Sequence, residues 1–458
     1  MQQICAGLIL LTALPAWAQG APAAPGSTVG SDDSESGGQG SDSRMQTPPP
    51  VSGMAYSTDF TSEERSNYLR GGIMFSGAYS DNAFDDVNGY QQSDVSYTVL
   101  PNVAWDETTP RLHWLLNYAP GFTFYQRESS RNEADQNASL SLQYRLSPHV
   151  TLSASDGFQK SSDVFNQLDP GAVTVTGGTQ GANFSVIAPI SDRLSNSGNV
   201  GISYQFERDT MIGASGTFTN LHYPNASQVP GLFDSASQAG SVYASLRASK
   251  VNYLGVTYQY QRLLSYPTEG VNETQTHAVL LFYTVAPSAH FSISVFGGPQ
   301  YSETTAPAST VPPVSPATDA RAWTPAVGAS MGWRARLTSA ALSYTHVISG
   351  GAGLSGAVHM DSESAVVRQR IVPNLTAGLS GAYTNNQVLS GSLPVTNNGH
   401  TIQGNATLQQ QFGEHLNVAL GYTRVHQTYG GVPVISQTPN TNREFISVSY
   451  QFSRPLGR

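Results

Sequence analysis

The chain has 458 residues, of which 12% are charged and 39% hydrophobic, and its formal net charge is -9. That acidity excludes a nucleic-acid partner, which needs a basic face. No stretch beyond the N-terminus approaches the ~18 consecutive apolar residues of a membrane-spanning helix. With 44 Gly, 22 Tyr and 17 Phe and only two lysines, Lys160 and Lys250, the chain reads as all-β.

Residues 1–18 carry an apolar stretch from Ile4 to Leu14 followed by Ala16-Trp17-Ala18, the small-x-small pattern of a secretory signal peptide. Cys5 is the sole cysteine and lies at the start of that stretch, where it cannot serve as a lipoprotein anchor. Cleavage would leave no thiol for a disulfide or a zinc site. Residues 19–65 are rich in Gly, Ser and Pro and predict a disordered periplasmic linker. Within it, residues 19–57 form an arm able to reach a periplasmic partner, and Thr61-Ser62-Glu63-Glu64 fits a capping box before one short helix.

Residues 66–458 alternate between runs of about ten residues with period two and breaks. Long breaks fall near 80–91, 125–134, 159–197, 219–237, 265–274, 303–320, 349–362, 386–399 and 428–442; short ones are 105–111, 147–149, 207–210, 248–250, 286–290, 336–339, 372–374 and 413–415. Strict alternation of nine long and eight short breaks predicts about eighteen antiparallel strands (16–20), with both ends of the array on the short-turn side. In the run FISVSYQF, Ile446, Val448, Tyr450 and Phe452 alternate with Ser447, Ser449 and Gln451. Leu140, Leu142, Tyr144 and Leu146, and again Leu416, Val418, Leu420 and Tyr422, repeat the pattern. One face is apolar and ends in aromatics such as Trp114, Tyr204, Tyr283 and Trp333; the other is Ser, Thr, Gln, Asn and Gly. Strands of ~9–11 residues suffice for a tilted crossing of a bilayer.

The signal, the alternating breaks and the last strand ISVSYQF resemble the bacterial outer-membrane β-barrel proteins, porins among them. The resemblance implies an all-β fold, a single transmembrane antiparallel barrel at residues 66–458, with long outer loops and short periplasmic turns. It also implies outer-membrane lipid, lipopolysaccharide and the barrel-insertion machinery as partners, and no cofactor. One departure is the tail Ser453–Arg458 after the aromatic Phe452; Pro455 is expected to stop the strand and leave these residues in the periplasm.

Six arginines, Arg145, Arg247, Arg334, Arg336, Arg368 and Arg370, fall on polar phases beside short turns. They predict a collar lining the periplasmic mouth of a channel, where it would favour anions. The competing account makes them ordinary strand-end charges paired with turn carboxylates. The long breaks are acidic, with Asp81, Asp192, Asp234 and Glu273 among their residues. His346 and Ser349 are the nearest thing to a catalytic pair, but residues three apart on a strand face opposite ways, and no third group is evident. Gly350-Gly351-Ala352-Gly353 and Thr176-Gly177-Gly178-Thr179 lack the lysine of a phosphate loop and read as loop glycines.

Three functions follow in order. The first is a porin-like channel for small hydrophilic solutes; the second is a structural barrel of a surface-export or polysaccharide-assembly system; the third, remote, is a lipid hydrolase. A bore filled by segment 159–197 or by the N-terminal arm would favour the second. The sidedness is testable: on whole cells, cysteines at Asn397 and Thr438 should react with an impermeant thiol reagent while one at Asp209 should not, and the reverse order would invert the topology.

Overall fold

The fold is described from a computed structural model. It covers residues 67–456 except 84–91, 163–164, 166–182, 184, 189–190, 229, 269, 289, 309–315, 390–397, 431 and 433–439. The signal, the linker with its capping box, residues 176–179, Asn397 and Thr438 therefore lie outside the described residues. Nineteen strand segments follow one another: β1 (Tyr68–Ser80), β2 (Asp94–Thr108), β3 (Leu112–Tyr118), β4 (Gly121–Tyr125), β5 (Glu133–Arg145), β6 (Val150–Ser161), β7 (Arg193–Glu207), β8 (Thr210–His222), β9 (Asp234–Arg247) and β10 (Asn252–Tyr266). The second half holds β11 (Asn272–Ser288), β12 (Phe291–Ala306), β13 (Thr318–Arg334), β14 (Thr338–Gly350), β15 (Ala357–Val372), β16 (Leu375–Val388), β17 (Gly399–Phe412), β18 (Leu416–Tyr429) and β19 (Asn440–Pro455).

β3 and β4 are the halves of one stave. Both pair with β2 and with β5, and the break falls at Pro120, which has no N–H to give to a ladder. The wall thus has eighteen staves, each antiparallel to its sequence neighbours. It closes where β1 pairs with β19, from Tyr68 opposite Pro455 to Ser80 opposite Arg443. Every long and short break of the sequence reappears between the strands assigned to it.

Two expectations are corrected. Unbroken strands run from 12 residues in β6 to 17 in β11 and β13, longer than a bilayer crossing requires, because they continue past the apolar belt at both ends. The last strand does not stop after Phe452: Ser453, Arg454 and Pro455 pair with Arg70, Leu69 and Tyr68. Pro455 is tolerated as the last member of the ladder, and the next N–H, that of Leu456, donates to the Asn67 carbonyl.

Period two sorts the wall into two surfaces. Phe75, Val103, Val200, Ile202, Leu281, Leu342, Leu379, Leu420 and Ile446 are exposed on the outside, while Ser76, Thr98, Ser241, Thr257, Ser302, Thr384, Thr401 and Ser447 are buried on the inside. On β13 the outward positions run Trp323, Pro325, Val327, Ala329, Met331 and Trp333. A ladder of that length at ~3.4 Å per residue and ~40° tilt is about 26 Å tall, the height of a hydrocarbon core with an aromatic residue at each rim. An apolar surface of this extent, far beyond the few hundred Å² that soluble monomers expose, should make folded protein require detergent or lipid. Unheated samples should migrate differently from heated ones in SDS gels, and a stable monomer in plain buffer would contradict the membrane-spanning barrel.

Candidate channel lining and its plug

The arginines predicted to line one mouth have distinct positions. Arg145, Arg247, Arg334, Arg368 and Arg370 occupy inward phases at the short-turn ends of β5, β9, β13 and β15. Arg336 does not: it lies in the exposed turn between β13 and β14, because β13 ends at Arg334. Arg334 and Arg368 face Ser339 from either side, so three adjacent strands contribute one row. Arg145 and Arg247 stand on other parts of the rim, opposite Thr151 and Tyr253. Arg247 is held by the turn carboxylate Asp209, with N···O distances of 2.7 and 2.8 Å. Its charge is therefore largely compensated.

One further basic residue on this rim escaped the sequence reading. Arg70 points inward near the start of β1 and meets Asp106 at 3.5 Å, which also meets His113 at 3.5 Å. Gly71-Gly72 beside Arg70 blurs the alternation from which its phase is read.

The other end of the bore is filled. Two pieces of chain enter it from the long-loop side. The first is the visible part of the segment between β6 and β7, whose Ser185, Val186, Ile187 and Ala188 are fully buried. Gln427 on β18 treats Ile187 like a strand partner, accepting from its N–H at 3.1 Å and donating to its carbonyl at 2.7 Å. Asn386 donates to the Ser185 hydroxyl at 2.7 Å and Thr401 to the Ser185 carbonyl at 3.0 Å. At the base, buried Arg193 donates to the Val186 carbonyl at 2.9 Å. β16 to β18, which hold this segment, lie across the barrel from β6 and β7, which carry it.

The second piece is the tip of the β14–β15 hairpin. Its turn bends through Ala352 (φ 53°) and Gly353 (φ 101°), and a β-carbon on Gly353 would come within 2.5 Å of the Tyr223 hydroxyl. Around the tip, Phe233 N–H donates to Gly353, Ser265 to the Leu354 carbonyl and Asn272 to the Ser355 carbonyl. Tyr223, whose hydroxyl burial pushes up to about 12, donates to the Ala352 carbonyl. Asn183 joins the two pieces by donating to Gly350 at 2.8 Å. Between them an apolar core forms from Val186, Leu280, Ala326, Val347, Leu354, Val358, Met360 and Tyr429. Gly350 to Gly353 are thus the tip of a plug.

Below the plug the lining opens. Along β5 the inward residues pass from buried Asp135 and Asn137 through Ser139 and Ser141 to exposed Gln143 and Arg145, and β17 passes from buried Thr401 to exposed Gln411 in the same direction. Among the described residues, nothing fills the bore at the short-turn end, and the plug fills the other. His346 and Ser349 do not meet: His346 faces outward and bonds Asp361 at 2.6 Å, while Ser349 is buried inside the plug. Among the described residues no cluster of acidic, His and Cys side chains is suited to hold a metal ion.

Replacing Gln427 by Ala removes both hydrogen bonds to Ile187, each worth about 1 kcal/mol net. Plug displacement should become roughly thirtyfold more frequent, read as a higher open probability in single-channel recordings; an unchanged open probability would mean that Ile187 is held by packing alone.

No protein-family model matches the sequence, and no curated protein matches it. Among the solved structures to which the chain is similar are those of three outer-membrane proteins. The Pseudomonas aeruginosa protein OpdK, solved with vanillate, matches at 10% identity and a TM-score of 0.39, over 84% of this chain and 99% of that one. OccK2 (OpdF) of the same organism matches at 11% identity and 0.41, over 84% and 97%. OccAB4 of Acinetobacter baumannii matches at 10% identity and 0.39, over 86% and 100%.

Proposed function

We propose that this protein is an outer-membrane channel of the porin type for small solutes, closed at its extracellular end by the plug and opened by plug movement. One observation carries the reading. Eighteen staves enclose a polar-walled vestibule, and of the two pieces that obstruct it the segment at residues 185–187 is held by individual side-chain hydrogen bonds from the wall, while the β14–β15 hairpin stays laddered to β16. A closed sheet of this strand number is wide enough to hold water. An open bore was the feature expected of transport and one filled by segment 159–197 or by the N-terminal arm that of an accessory barrel; among the described residues part of that segment fills one end and nothing fills the other. Polar lining below the plug favours transport, since a purely structural barrel has no need of a solvated vestibule.

The vestibule rim carries the arginine row. Arg145, Arg334, Arg368 and Arg370 stand on inward phases at this rim, where the wall confines the field, and a weak anion preference is proposed for it. The test is planar-bilayer conductance with a panel of salts and sugars. Replacing Arg334, Arg336, Arg368 and Arg370 together by Gln should move the reversal potential toward cations at low salt, where the Debye length exceeds ~10 Å. Conductance at background in all salts would reject the channel; an unmoved reversal potential would reject the collar.

A further inference from the structure

The outward face of β18 and β19 changes character at one level. Toward the long loops, the outward residues of β18 pass from Leu420 and Tyr422 to Arg424, His426 and Thr428, and those of β19 from Val448 and Ile446 to Glu444, Asn442 and Asn440. The change marks the rim of the apolar belt, with Tyr422 as its aromatic residue. Side chains beyond such a rim meet lipid headgroups rather than acyl chains.

Arg424 stands there exposed, and among the described residues no carboxylate forms an ion pair with it. The acids nearby are placed otherwise: Asp81 accepts from the Asn442 side chain at 2.6 Å, and Glu444 lies opposite Tyr422, on the belt side of the arginine. On β17 the register partner of Arg424 is Gly404, where a β-carbon would meet nothing within 4 Å. The place beside the guanidinium is thus an open notch floored by backbone, with Ile402 and Ala406 on either side of it.

Two imidazoles border the notch on its long-loop side. His426 follows Arg424 on the same face of β18, and His400 follows Ile402 on β17; their ring centroids lie 5.5 Å apart. Tyr383 of β16 continues the row, 5.9 Å from His400. His426 Nδ1 donates to Asn440 Oδ1 at 2.7 Å, which leaves its Nε2 for a ligand. That nitrogen can accept from a phosphate O–H or, once protonated, donate to a phosphate oxygen. The outward residues beside the two rings on β16, β18 and β19 are Asn385, Thr428 and Asn440, and none of them is a carboxylate.

We propose that Arg424, His426 and His400 form a docking site on the outside of the barrel for a phosphorylated lipid headgroup of the outer leaflet. The inference rests on the reading of the barrel as an outer-membrane channel, which sets the leaflet that the long-loop end meets. Chemistry selects the class. A guanidinium engages two phosphate oxygens at once, and a phosphate monoester, with three acceptor oxygens and ~2 negative charges, still has oxygens left for the imidazoles. A purely cationic head would meet Arg424 and be repelled. Below the notch, exposed Leu408, Leu420 and Ile446 continue the site as an apolar strip on which acyl chains can lie, so a phosphate carried by a lipid gains contacts that free phosphate lacks.

The test compares diphosphoryl lipid A with the same lipid stripped of its phosphates, each added to the folded full-length barrel in detergent and read by native mass spectrometry. The phosphorylated form should be retained several-fold more strongly; equal retention of the two would overturn the site. Replacing Arg424, His400 and His426 together by Gln should abolish the preference, with heat-modifiable migration in SDS gels showing that the variant is folded. A folded variant that still prefers the phosphorylated lipid would place the contact elsewhere and reject these residues. Inorganic phosphate should displace the lipid only in large excess, and displacement at equal concentration would reject the lipid in favour of free phosphate. Conductance is measured separately: a silent pore that still selects the phosphorylated lipid would reject the channel and support the site.

Discussion

Hydrocarbon offers no hydrogen bonds, so every backbone N–H and C=O at bilayer depth must find its partner within the protein. The pairing of Tyr68–Ser80 with Arg443–Pro455 meets that demand by joining the first strand to the last. With the ring closed, neither β1 nor β19 presents an edge, and side chains alone decide what each surface meets. Exposed Leu and Val outside and buried Ser and Thr inside are consequences of closure, because alternation along each strand then sorts residues between lipid and bore.

The same constraint explains why the plug is built as it is. A segment crossing the bore carries backbone groups away from the wall, and they too need partners. Gln427, Thr401 and Arg193 supply them to residues 185–187, and Ser265, Asn272 and Tyr223 supply them to the hairpin tip. Polar wall residues thus serve two ends: below the plug they hydrate the vestibule, and at its level they replace strand partners. Between the two crossing pieces the apolar cluster around Val186 and Leu354 removes side-chain surface from water, which keeps the outer half of the bore dry where the inner half is wet.

Charge follows the geometry. Acids of the long loops in several cases fasten those loops. Asp81 accepts two hydrogen bonds from Asn442, Asp192 pairs with Lys160 at 3.1 Å, and Asp234 accepts from Tyr223 N–H and meets His222. At the opposite rim Asp209 and Asp106 hold Arg247 and Arg70 in the same way. β13 and β14 part beside the outward pair His346–Asp361, just above Val327.

Strand number, order and facing were legible in the sequence because each depends on neighbours along the chain. Period two names the face of Leu420 or Ser447, and a break such as Val372-Pro373-Asn374 ends a strand wherever it is placed. The inward phase of Arg334 and Arg368 came from the same local rule. Strand ends were less legible, since beyond the belt both faces meet water and alternation lapses; hence the short estimate for β13 and the early stop proposed before Pro455. The plug and the parting of β13 from β14 beside it had no local signal. Val347, Ile348 and Ser349 read as wall, and only the register of two strands joined by a long loop sets Pro325 against Pro299 and turns a proline's missing N–H toward β14. Sequence determined a barrel and its two surfaces; tertiary register decided where the wall ends and what fills the bore, because hydrogen-bond partners across strands are chosen by closure of the whole ring.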